Sequence, residues 1–137
     1  MKTIKNCKLL NLHEIGDYRG KLIALEEIKD YPFKAKRIYY IYGCENNIRR
    51  GYHSHKRTDQ LLICVNGSCK IYLDDGMNKE DVLLDNKSIG LIVGRDVWHE
   101  MYDFSKDCVL LVLASELYNE SDYIRNYEDF LKYLRNK

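Results

Sequence analysis

His53-Ser54-His55 sets two imidazoles at positions i and i+2, and on an extended strand such residues point to one face. Gln60 and Gly67 follow, and a third imidazole, His99, stands in the run Val97-Trp98-His99-Glu100-Met101. The unperturbed pKa of histidine, about 6.5, lets it take and give protons near neutrality. Several imidazoles in an apolar enclosure therefore suit proton transfer beside a carbonyl. The carbonyl acidifies the neighbouring C–H, one imidazole removes that proton, a second donor stabilises the enediolate oxygen, and the proton returns on the adjacent carbon. Three histidines can also hold zinc in an open site. Arg19, Arg37, Arg49 and Arg50 lie near the histidine strand in sequence or in its expected neighbours. Guanidinium forks match phosphate oxygens, and Arg37 and Arg50 are the lead candidates for a diphosphate, whereas Arg49 reads as a solvated surface charge. Trp98, Tyr39 and Tyr40 have the ring faces to stack on a base or sugar, although such residues more often form core or barrel wall.

The elements that must position these groups are short and extended. Lys21–Glu27, Arg37–Gly43, Gln60–Asn66, Ser68–Asp74, Asp81–Leu84, Ile89–Val93, His99–Phe104 and Cys108–Ala114 are rich in Ile, Val, Leu and Tyr, as strand faces prefer. Asn66-Gly67 is a two-residue hairpin signal, and Asp74-Asp75-Gly76 marks the next turn. About eight closely spaced strands indicate a sandwich or barrel rather than βαβ units. Near the end, Ser121 is a candidate helix cap, with Ile124, Tyr127, Leu131 and Leu134 at helical spacing behind it.

The chain has 137 residues, 45% of them hydrophobic and 12% aromatic, including 12 tyrosines. That is the composition of a globular domain, and residues 1–137 are read as one. A chain of this size buries roughly two thirds of its unfolded surface. The net charge of +1, from 22 basic and 21 acidic residues, gives no reason to expect nucleic-acid or anionic-membrane binding. No signal peptide or membrane span is visible. The five cysteines form no CxxC pair. They read as small core residues in a reducing, cytoplasmic setting rather than a disulfide framework.

The order His53, His55, Gln60, Gly67 and then His99 resembles the cupin signature, in which three histidines and a glutamate often bind a divalent metal. Gln60 stands where the glutamate would be. An amide brings no negative charge to offset a cation, so no metal is expected. A more specific resemblance covers nearly the whole chain. The runs Arg37-Ile38-Tyr39-Tyr40-Ile41, Arg50-Gly51-Tyr52-His53-Ser54-His55-Lys56, Leu61 to Ser68, Val97 to Met101, Val112-Leu113-Ala114-Ser115 and Asp122-Tyr123-Ile124-Arg125 resemble the nucleotide-sugar 3,4-ketoisomerases.

That resemblance implies an all-β cupin jelly roll, a double-stranded β-helix, with a C-terminal helix. It implies a metal-free and cofactor-free homodimer that exchanges N-terminal strands. The expected reaction converts dTDP-4-keto-6-deoxyglucose into a 3-keto sugar for bacterial surface polysaccharide. It places the base at His53 with His55 beside it. His99 and Tyr39 complete the expected catalytic set, and Arg19, Arg37, Arg50, Lys56, Gln60, Trp98 and Glu100 are the expected substrate-binding residues. Arginine before the glycine of Arg19-Gly20 and histidine after Trp98 resemble the members that form a galacto product. The alternatives are a gluco product from the same substrate, a 3,5-epimerase-like cupin, a metal-dependent cupin oxygenase and a non-catalytic sugar-binding cupin.

Overall fold

A strand buried on both faces reads as a near-continuous apolar run, and Gln60–Asn66, with the sequence QLLICVN, is such a run. In the computed structural model, which describes residues 4–137, it is strand β6. The order is β1 (Cys7–Asn11), β2 (Glu14–Asp17), β3 (Gly20–Ile23), β4 (Arg37–Tyr42), β5 (Arg50–His55), β6 (Gln60–Asn66), β7 (Cys69–Asp74), β8 (Lys79–Leu84), β9 (Ile89–Val93), β10 (Trp98–Tyr102), β11 (Val109–Ala114), β12 (Tyr123–Ile124) and α1 (Tyr127–Arg135). One sheet runs β1-β9-β6-β11-β4 and the facing sheet β12-β5-β10-β7-β8, while β2 and β3 form a separate hairpin. All the strand pairs are antiparallel. This is the jelly-roll barrel expected, with α1 as the one α-helix among the described residues, near their C-terminal end.

Alternation along the strands builds three apolar layers. Leu62 and Cys64 of β6, with Leu91, Leu110 and Val112 of the same sheet, pack with Ile71 and Leu73 of the facing sheet. Leu61 and Ile63, on the other face of β6, are covered by Leu12, Tyr31 and Phe33 from the loop-rich N-terminal quarter. Phe130 of α1 is wholly buried against Trp98 and Ile124 on the outside of the second sheet. Cys64, Cys69 and Cys108 sit in the first layer as small apolar groups, and all five cysteines are free thiols. Among the described residues, no helix is long and apolar enough to cross a membrane.

Three local expectations are corrected. The extended stretch from Lys21 shortens to β3, which ends at Ile23. Asn66-Gly67 is no hairpin, because β6 and β7 belong to facing sheets. Gly67 has φ +69° and a Cβ there would meet the Cα of Cys108 at 2.9 Å, so its glycine serves a tight crossover between layers. By contrast, Asp74-Asp75-Gly76 does close a hairpin, with Asp74 paired to Lys79. Ser121 does not cap the helix. It lies in a 3-10 turn over Glu120–Asp122, and Ile124 is on a strand paired with Ser54. The cap is Asn126, whose side chain accepts the Asp129 amide.

Candidate active site

β5 carries two of the three central imidazoles, and β10 carries the third directly opposite His53. A bulge fixes their aim. β10 pairs His99 with His53 and then Glu100 with Gly51, so Tyr52 is the extra residue, with φ +56°. Gly51 has φ +98°, and a Cβ on it would stand 3.0 Å from the His99 carbonyl oxygen. The close approach of the two strands therefore needs glycine.

His53 and His99 have ring centroids 4.5 Å apart, His53 and His55 5.0 Å, and His55 and His99 5.8 Å. Each Nδ1 faces an oxygen: the Gly51 carbonyl at 3.0 Å for His53, Asp122 Oδ2 at 3.0 Å for His55 and the Val97 carbonyl at 3.4 Å for His99. Carbonyls and ionised carboxylates only accept, so each ring proton belongs on Nδ1 and each Nε2 keeps its lone pair. Burial pushes all three imidazoles down, and neighbouring ring charge adds to it for His53 and His99, taking His53 to about 4. For His55 the Asp122 carboxylate opposes that shift without cancelling it. Burial raises Asp122 itself, but hydrogen bonds from Thr58, His55 and the Arg57 amide outweigh this and hold its carboxyl below the usual range. At neutral pH the site thus holds three neutral imidazoles beside one carboxylate. Their ligand atoms lie within 4.8 Å of one another, a spacing a metal ion could also use. The amide of Gln60 is already committed, with Nε2 donating to Tyr39 Oη at 2.9 Å.

Above the histidines opens a cavity of about 390 Å³ lined by Arg37, Tyr39, Arg50, His53, Tyr118, Tyr123 and Arg125, with Ile41 and Met101. The inward face of β4 supplies Arg37, Tyr39 and Ile41, alternating with exposed Ile38, Tyr40 and Tyr42. The Arg37 guanidinium donates to Tyr123 Oη at 3.4 Å and lies 5.2 Å from the Tyr39 ring centroid. Among the described residues its buried Nε has no partner. Arg125 stacks 4.4 Å over Tyr123 and is ion-paired with Glu120. Three guanidinium groups around one opening make a rim suited to an anion. A larger hollow of about 700 Å³, between residues 43–46 and 103–106, contains no histidine.

Of the expected residues, the structure brings together His53, His55, His99, Tyr39, Gln60, Arg37 and Arg50. It does not bring in Trp98 or Glu100. Both flank His99 on β10 and so point to the opposite face, where Trp98 packs under α1 and donates to Glu100 at 2.7 Å. Glu100 is ion-paired with Arg49 instead. Lys56 lies just past β5, its amide bonded to the Asp122 carbonyl, and does not line the cavity. Arg19 is in the β2–β3 turn, exposed and paired with Asp17. Residue-by-residue reading missed Asp122, Tyr118, Tyr123 and Arg125 as site residues. The signal for three of them was the run Asp122-Tyr123-Ile124-Arg125, hidden by its assignment to a helix.

The family described as "FdtA: WxcM-like, C-terminal" matches residues 5–135. The chain is 51% identical to a TDP-4-oxo-6-deoxy-alpha-D-glucose-3,4-oxoisomerase of Aneurinibacillus thermoaerophilus, over 93% of this chain and 91% of that one. A histidine-to-asparagine variant of the 3,4-ketoisomerase QdtA from Thermoanaerobacterium thermosaccharolyticum, in complex with TDP-4-keto-6-deoxyglucose, superposes with a TM-score of 0.95 at 44% identity, covering 98% of each chain. WlaRB, a TDP-quinovose 3,4-ketoisomerase from Campylobacter jejuni, matches with a TM-score of 0.91 at 52% identity, over 94% of this chain and 99% of that one.

Proposed function

Since the chain belongs to the FdtA family and is a TDP-sugar 3,4-ketoisomerase, we propose that it converts dTDP-4-keto-6-deoxyglucose to dTDP-3-keto-6-deoxygalactose by imidazole acid–base catalysis, with His53 as the base. The observation that carries this reading is the convergence of three neutral imidazoles, each anchored through Nδ1, beneath an arginine rim. His53 Nε2 takes the C3 proton of the 4-keto sugar, leaving an enediolate with its charge on O4. His55 and the Tyr39 hydroxyl move the O3 proton to O4, and a proton returns to C4, so C3 becomes the ketone. The electron pairs stay within the sugar, and the balance needs no cofactor or metal. Gln60 holds Tyr39 in place, and Arg37 and Arg50 grip the diphosphate.

The C4 configuration follows from which face of the planar enediolate meets a proton donor. His99 can relay a proton, which an arginine there could not, since it stays protonated. With Arg19, it supports the galacto product. A second reading, the gluco product, is favoured by the 52% identity to a protein named for quinovose, the gluco-configured 6-deoxy sugar. Within one chain Arg19 is not among the residues that line the cavity. We therefore place the partner's Arg19 at the sugar, in a cytoplasmic homodimer with exchanged N-terminal strands that serves surface-polysaccharide synthesis.

Incubation with dTDP-4-keto-6-deoxyglucose, trapping of the product by amination at C3 and NMR of its ring couplings test both levels. No 3-keto product removes the function, and a gluco coupling at C4 removes the galacto assignment. His53→Asn is expected to lose at least ~100-fold in turnover while remaining folded. Wild-type turnover by that variant excludes His53 as the base.

A further inference from the structure

We propose that Asp122 is a positioning residue that sets the tautomer of His55, keeping its ring proton on Nδ1 and its Nε2 as a lone pair among the three imidazoles. The inference rests on the acid–base reading above, and it concerns a residue that only the folded chain reveals. Asp122 comes from the 3-10 turn ahead of β12, more than sixty positions from His55 in sequence.

The carboxylate is fully committed. Oδ1 accepts the Arg57 amide at 2.6 Å, and Oδ2 accepts the Thr58 hydroxyl at 2.5 Å and faces His55 Nδ1 at 3.0 Å. Its backbone carbonyl also accepts the Lys56 amide at 2.9 Å, and the next residue, Tyr123, pairs with His55 across the sheet. Asp122 is therefore fixed from both backbone and side chain, and its side chain is about 95% buried. An ionised carboxylate has no hydrogen to give, so the hydrogen between it and His55 must sit on the imidazole. His55 Nε2 is then an acceptor by default, and it is buried with no partner of its own among the described residues. A substrate hydroxyl or enediol can supply a donor to that lone pair.

Asp122→Asn tests this with an almost isosteric change. The Arg57 amide requires an acceptor at the Oδ1 position, so the asparagine oxygen goes there and its NH2 replaces Oδ2. That group donates to His55 Nδ1 and drives the ring proton to Nε2. Long-range proton–nitrogen NMR of histidine-labelled protein reads the tautomer without reference to activity. The expected result is Nδ1–H in the wild type and Nε2–H in Asp122→Asn, with kcat reduced roughly 100-fold and dTDP affinity little changed. Thr58→Val removes a neighbouring buried hydrogen bond but leaves the carboxylate on His55, so it should keep the Nδ1–H tautomer and most of the turnover. A wild-type His55 protonated on Nε2 overturns the proposal even if the asparagine variant fails to fold. So does an unchanged tautomer in Asp122→Asn, or a switched tautomer with wild-type kcat. Failure of the acid–base reading shows differently, as full turnover by His53→Asn whatever the tautomer of His55.

Discussion

A base must be unprotonated to act, and burial with the charge of His55 pushes the His53 imidazole down to about 4. Its neutral form therefore persists well below the ordinary histidine range. The kcat/KM profile reports the free enzyme, so it should run flat as pH falls through 6.5 and decline only toward 4. Steady-state kinetics between pH 5 and 8 check this, and a decline centred at 6.5 would assign the base elsewhere. Gln60 is bonded to Tyr39 and brings no charge for a cation, so full activity is expected after exhaustive chelation. Elemental analysis with activity restored by one ion alone would reverse that expectation. Arg37 is half-buried, and its Nε has no partner among the described residues. Hydrogen bonds to charged groups contribute ~1.5–3 kcal/mol. Arg37→Ala should therefore raise KM ~10- to 100-fold with a smaller effect on kcat, and calorimetry with dTDP gives the same answer independently.

At the scale of elements, the bulge in β5 is the device that aims His53. Gly51→Ala forces a side chain onto φ +98° and against the β10 backbone. We expect a cost of about 1–3 kcal/mol, seen as a lowered melting temperature, together with lost turnover because His53 hangs on the distorted residue pair. An unchanged melting temperature would show that the strands can part without cost. The histidine pair, β4, β6, β7, β9 and β11 were legible because alternation and turn residues are local signals. The Asn66-Gly67 reading failed because whether two strands pair is decided by non-local neighbours: β6 finds β9 and β11, and β7 finds β8 and β10. Ser121 and Ile124 fit a helical pattern, but pairing beside β5 overrode it. Trp98 and Glu100 were drawn into the expected site by adjacency to His99, and the pleat excludes them.

The whole molecule leaves an apolar surface uncovered. Ile38, Tyr40 and Tyr42 on the outer face of β4, an edge strand, are 63%, 63% and 68% exposed, and Ile15 and Leu22 of the separate hairpin are more than half exposed. An exposed apolar edge calls for a cover, and the hairpin of a second copy is the cover proposed. Sedimentation should give the mass of two chains. Ile38→Glu with Tyr40→Glu should give one chain with reduced turnover, since the partner's Arg19 would be lost. A monomeric, fully active wild type would refute the exchange.

Asp122, Tyr123 and Arg125 reach the histidine strand from the last fifth of the chain, where β12 is laid beside β5. β12 is two residues long, and without this segment β5 becomes the open edge of its sheet and His55 loses its carboxylate. Fraying of this one short segment would therefore disarm the histidines while the other strands of the two main sheets stay paired, so the site can be lost without the barrel.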